Sequence, residues 1–116
     1  MYVSGPNQSF ETDFFQNEFL PKYLEIAGTE PTAPFHAHAA DATNMVLDAI
    51  QAEGVTQEGS DGTLLIGRQA LRDALYATSG YEGITGSLTC DEFGDCADPQ
   101  IVFYEVQNND FVQVYP

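Results

Sequence analysis

The sequence predicts an α/β chain in which three helices precede a C-terminal β-hairpin, and three observations carry that reading. Apolar residues recur at three- and four-residue spacing in two long stretches that end at Gly28 and Gly54. A shorter helical pattern follows from Gly67. From Gln100 onward the pattern changes to β-branched and aromatic runs on either side of Asn108-Asn109-Asp110.

The opening Met1-Tyr2-Val3-Ser4 reads as a short strand that Gly5-Pro6-Asn7 breaks. Ser9 or Asp13 can cap the first helix, whose apolar positions are Phe10, Phe14, Phe15, Phe19, Tyr23, Leu24 and Ile26, with a kink expected at Pro21. After the extended Glu30-Pro31-Thr32-Ala33-Pro34, a second helix from about Phe35 to Glu53 is expected to bury Ala39, Ala42, Val46, Ala49 and Ile50. Val55 to Gly62 reads as a polar loop. The third helix starts near Gly67 with Ile66 and Leu71 placed as a hydrophobic staple, runs to Thr78, and ends before Gly80. Ser87 to Cys90 is a short strand, and Gln100–Gln107 with Phe111–Tyr115 forms the hairpin.

A chain of 116 residues, 43% hydrophobic, has the size of one ordinary domain with a modest core, expected to fold as one unit. Eighteen acidic residues against Lys22, Arg68 and Arg72 give a formal charge of -15. Such a surface repels phosphate backbones and anionic lipid, so no nucleic-acid partner is expected. The acids are scattered, as on a solvated face. No run approaches the ~20 apolar residues of a membrane span. The first residues lack the charged and apolar regions of a signal sequence, so the chain as it stands is expected to be neither anchored nor self-exporting. Cys90 and Cys96, the only cysteines, flank a short loop that a disulfide can close. Two cysteines without a third ligand make a poor zinc site, which favours the disulfide over free thiols and points to an exported protein.

Several groups could carry chemistry. His36-Ala37-His38 with Asp41 is the only histidine cluster. On a helix, residues two apart point about 200° from each other, so helix-end histidines are favoured over a metal site. Asp91, Glu92, Asp95 and Asp98 are calcium-type ligands, but their spacing departs from the EF-hand pattern and the cysteines already account for the loop. No nucleophile elbow, phosphate-cradling loop or dinucleotide fingerprint is present, and no cofactor or metal is implied.

The order of elements carries a resemblance. A strand ending in Gly5-Pro6 is followed by a helix, a proline-containing approach, an alanine-rich helix with Asp41-Ala42, a shorter helix, Gly83-x-Thr85-Gly86 and a Gly94-Asp95 turn. From Tyr2 to about Tyr115 this resembles the C-terminal portion of a type I periplasmic, branched-chain amino-acid type, substrate-binding protein of an ABC importer. That family has two α/β lobes joined by crossing strands, with a small solute in the cleft between them.

The resemblance implies a single partial domain over residues 1–116. Residues 5–86 would correspond to the first lobe, and residues 1–4 and 87–116 to the second. It further implies that Val3, Ser4, Gly5 and Pro6, and Gly86, Ser87, Leu88 and Thr89, act as hinges. Phe35 would line the cleft, with membership of the core as its alternative, and His38 would sit at the cleft rim. The activity implied is binding of an amino-acid-like solute by an extracellular or periplasmic receptor that docks on an ABC permease when full length, without catalysis. A partial lobe exposes apolar faces and sheet edges, so the isolated chain is expected to form a homodimer or swap elements. The alternatives are a ligand-sensing ectodomain of the same fold, a small metal-binding enzyme using His36 and His38, and a stand-alone interaction module.

Overall fold

The computed structural model describes residues 1–7, 10, 12–32, 35–96 and 100–115. It divides into two compact units, Met1–His36 with Pro99–Pro116, and Ala37–Asp98.

In the first unit, strand β1 (Tyr2–Pro6) pairs antiparallel with β6 (Ile101–Gln107), which pairs with β7 (Asp110–Tyr115). Asn108 and Asn109 both adopt positive φ, 52° and 73°, as a two-residue hairpin turn between right-twisted strands requires. The predicted hairpin is therefore present, with a turn one residue shorter than expected: Asp110 is the first residue of β7 and pairs with Gln107. Gly5 and Pro6 do not break β1; they are its last two residues. β1 is an edge of the sheet, where a missing N–H is tolerated, and the Pro6 carbonyl accepts the Tyr104 hydroxyl at 2.9 Å. Val102 and Tyr104, two apart on β6, are buried on one face of this sheet.

The first helical segment runs from Asp13 to Ala27, as the aromatic periodicity predicts. Its cap is Thr12, whose hydroxyl accepts the Phe15 N–H at 3.1 Å, in place of the expected Asp13; Ser9 lies outside the described residues. Phe15–Phe19 form a π-helical turn, in which Leu20 donates to the Phe15 carbonyl, and α1 proper spans Leu20–Ala27. Pro21, where a kink is expected, lies inside this unbroken helical segment as the second residue of α1, directly after the π-helical turn, the kind of irregularity that accommodates a missing N–H within a helix. Gly28, at φ 71°, closes the helix with its N–H on the Leu24 carbonyl.

The second unit holds α2 (His36–Gln51, whose first residue belongs to the other unit), β2 (Thr56–Glu58), β3 (Leu64–Ile66), α3 (Arg68–Tyr76), β4 (Tyr81–Gly83) and β5 (Gly86–Leu88). Buried positions on α2 are Ala37, Asp41, Met45 and Ala49, a four-residue repeat. Of the face expected to be buried only Ala49 is; Ala39, Ala42 and Val46 are exposed and Ile50 is intermediate. The helix is apolar over much of its circumference, so periodicity fits more than one face, and the buried one is set by what Asp41 binds.

Val55 to Gly62 is not wholly loop. β2 and β3 form a small hairpin whose three-residue strands are too short to show alternation. Its turn is tied by Asp61, whose carboxylate accepts the Thr63 hydroxyl at 2.6 Å and N–H at 3.1 Å. Those bonds hold the Asp61 carboxyl below its ordinary range. The third helix begins at its Gly67 cap as expected and ends at Tyr76, with Gly80 at φ 64° beyond it. Tyr81–Gly83, which shows no strand pattern in the sequence, pairs with Gly86–Leu88.

Candidate functional site

In the second unit the determining local feature is the turn between β4 and β5. Two residues, Ile84 and Thr85, connect these strands, and both turn N–H groups point at one side chain. Asp41, 2% exposed on α2, accepts the Ile84 N–H at 2.8 Å with Oδ1. Its Oδ2 accepts the Thr85 N–H at 2.8 Å and the Thr85 hydroxyl at 2.7 Å. A buried carboxylate is costly unless its lone pairs are filled, and here three donors fill them. Gly83 makes this approach possible, because a Cβ there would lie 2.6 Å from Asp41 Oδ2. The helix is thereby fixed to the hairpin by polar contacts at a buried point.

Beside this lock, α2, the segment after α3 and the start of β4 enclose an open pocket of about 290 Å³. Met45 and Ala49 form its buried floor, while Asp48, Thr78, Ser79 and Tyr81 supply one carboxylate and three hydroxyls. Burial, followed by the charges of Asp41 and Asp48, raises the Tyr81 hydroxyl pKa, opposed by a hydrogen bond with the Asn44 side chain. Tyr81 is therefore a neutral phenol at physiological pH.

In the same unit, Cys90 and Cys96 are joined by a disulfide. Within the loop they enclose, the Asp91 carboxylate accepts the N–H groups of Phe93 and Asp95, each at 2.9 Å. The Asp91 carboxylate, one of the calcium-type ligands set aside on spacing, thus shapes the loop. Gly94, at φ 85°, lies close against Tyr76, where a Cβ would approach ring carbon Cε1 to 2.7 Å, and the Arg72 guanidinium stands 5.7 Å from the centroid of that ring. Asp98 lies outside the described residues.

In the first unit, His36 is surrounded by rings. Phe10, Phe15, Phe19 and Tyr23 have centroids 5.6 to 6.4 Å from the imidazole, and Phe19 stacks on it with 20° between planes. Their spacing at 15, 19 and 23 marks one helix face in the sequence, but nothing in the sequence signals that a histidine completes it. Phe14, Phe19, Lys22, Tyr23 and Ile26 line an apolar groove of about 250 Å³ along α1.

Phe35 stands just before α2 and is 59% exposed. His38 is half-buried in the first turn of α2. His36 and His38 are both helical and so point to different sides, and among the described residues no three His, Cys, Asp or Glu gather in metal-binding geometry. Val3–Pro6 lie in β1, and Gly86–Leu88 form β5, with Thr89 just beyond it accepting the Gly80 N–H through its hydroxyl. The first unit gives way to the second between His36 and Ala37, within the first turn of α2. Among the described residues no helix is long and apolar enough to cross a membrane.

No protein-family model matches the sequence, and no curated protein matches it. Solved structures do. The leucine binding protein LivK of Thermotoga maritima MSB8 superposes with a TM-score of 0.67 at 22% identity, over 98% of this chain and 29% of its own. A branched-chain amino acid ABC transporter structure from Rhodospirillum rubrum superposes with a TM-score of 0.56 at 27% identity, over 97% of this chain and 30% of its own. The chain has the fold of part of a type I periplasmic binding protein. This type I fold is the architecture that the order of elements implies. The chain spans less than a third of the length of either structure.

Proposed function

We propose that this chain is the C-terminal part of the solute-binding component of an ABC importer, taking branched-chain or other amino acids or similar small polar solutes. The observation that carries the reading is the agreement of nearly the whole chain with the structures of a leucine binding protein and a branched-chain amino acid ABC transporter. The activity is binding, with closure of two lobes over the solute as the signal to the permease. Phe35, exposed at the entry to α2, offers its ring to the solute's apolar side chain, worth about 1–2 kcal/mol on burial. His38 contributes at the cleft rim, and Val3–Pro6 and Gly86–Thr89 act as hinges. The disulfide supports an extracellular or periplasmic location.

The intact mass of the product made by native cells tests the reading first. A species several times 12.7 kDa whose melting temperature rises with leucine, and in which Phe35→Ala weakens leucine binding about tenfold, is the expected result. A mature product of 12.7 kDa overturns the importer reading in this form.

We also propose that the isolated chain forms a homodimer or exchanges elements. All six residues of β7 are exposed, Phe111 and Tyr115 each at 65%, and Leu64 and Leu65 on β3 are more than half exposed. A sedimentation mass that stays monomeric at high concentration overturns this.

A further inference from the structure

We infer that the pocket formed by α2, the segment after α3 and β4 binds a small organic cation, a short alkylammonium. Its floor, Met45 and Ala49, is buried and apolar, and the polar side chains among its lining residues are one carboxylate, Asp48, and three hydroxyl-bearing residues, Thr78, Ser79 and Tyr81. No basic side chain lines it. An ammonium group has three donors and no acceptor, and this lining offers it a carboxylate and hydroxyl oxygens beside an apolar floor for a short alkyl chain. A volume of about 290 Å³ limits the chain to a few carbons. An anion meets the Asp48 charge with no cation to offset it. The net charge of -15 raises the concentration of cations around the whole chain. Tyr81 stays protonated beside Asp48, so the phenol adds a neutral oxygen and no second charge.

The inference goes beyond the amino-acid reading and is independent of it. Every lining residue belongs to the second unit, and the ligand class lacks the α-carboxylate of an amino acid. Failure of one leaves the other untouched, because the test uses a ligand without a carboxylate.

The experiment is an amide ¹H–¹⁵N titration of the 116-residue chain with n-butylammonium chloride, with n-butanol and sodium chloride as controls. Expected are saturable shifts at Met45, Ala49 and Thr78 through Tyr81 with a dissociation constant on the order of millimolar, absent with either control. Asp48 is exposed, so Asp48→Asn keeps the fold and weakens binding about tenfold or more through loss of the charge-assisted hydrogen bond. Ser79→Leu, at another exposed position, blocks the pocket with Asp48 intact and abolishes the shifts. Equal saturation by n-butanol, unchanged affinity in both variants, or shifts that follow ionic strength alone overturns the site.

Discussion

Asp41 and Thr85, separated by 44 positions in the chain, meet at a single oxygen: Asp41 Oδ2 accepts both the backbone N–H of Thr85 at 2.8 Å and its hydroxyl at 2.7 Å. With the Ile84 N–H on Oδ1, this makes the carboxylate the fastening between α2 and the β4–β5 hairpin.

Replacing Asp41 by Ala strands two turn N–H groups and a hydroxyl. A loss of about 2–4 kcal/mol in urea unfolding is expected, against about 1 kcal/mol for Thr85→Val, which removes only the hydroxyl bond. Similar losses for the two would show that the backbone donors do not depend on the carboxylate.

Gly83 is tied to the same point, since a Cβ there would lie 2.6 Å from Asp41 Oδ2. Gly83→Ala is expected to destabilise the chain by roughly 1–3 kcal/mol. In an Asp41→Ala background the same change costs far less, because the oxygen it clashes with is gone. A double-mutant cycle with additive effects would refute this coupling.

The raised Tyr81 pKa has a defined sign. Burial and the nearby Asp41 and Asp48 charges lift it above the ordinary value of 10.0, so the folded state holds the proton more tightly than the unfolded state. The stability contributed is fully present below pH 10 and is lost as pH rises through the folded pKa. Absorbance near 295 nm should show a late-titrating tyrosine that disappears in Tyr81→Phe. Coincident ionisation of all tyrosines would contradict the placement.

The Cys90–Cys96 loop is held twice, by the disulfide and by Asp91. Alkylation without reduction should leave the mass of the folded chain unchanged. The Cys90→Ser/Cys96→Ser double variant should lose about 2–3 kcal/mol, and adding Asp91→Ala should lower the melting temperature further. Thiol labelling of the unreduced chain would overturn the pairing.

How legible all this is in the sequence depends on the range of the interaction. Gly28 and Gly67 bound helices where the sequence places them, and Asn108-Asn109 turns the hairpin, because these signals act through the backbone of neighbouring residues. Phe15, Phe19 and Tyr23 mark a helix face by spacing alone. The β2–β3 and β4–β5 hairpins leave little trace, since strands of three residues show no alternation and are held by what packs around them.

By itself the sequence determined the class of fold, the order of its long elements, the acidic surface and the cysteine pair that closes a loop, all of which follow from local backbone preference, composition and short loop closure. Only the tertiary structure decided which stripe of α2 is buried, why residue 83 must be glycine and where His36 lies. The face of an apolar helix is chosen by contacts made far along the chain: Asp41 selects it by finding its donors at Ile84 and Thr85, and no periodicity on α2 encodes that meeting.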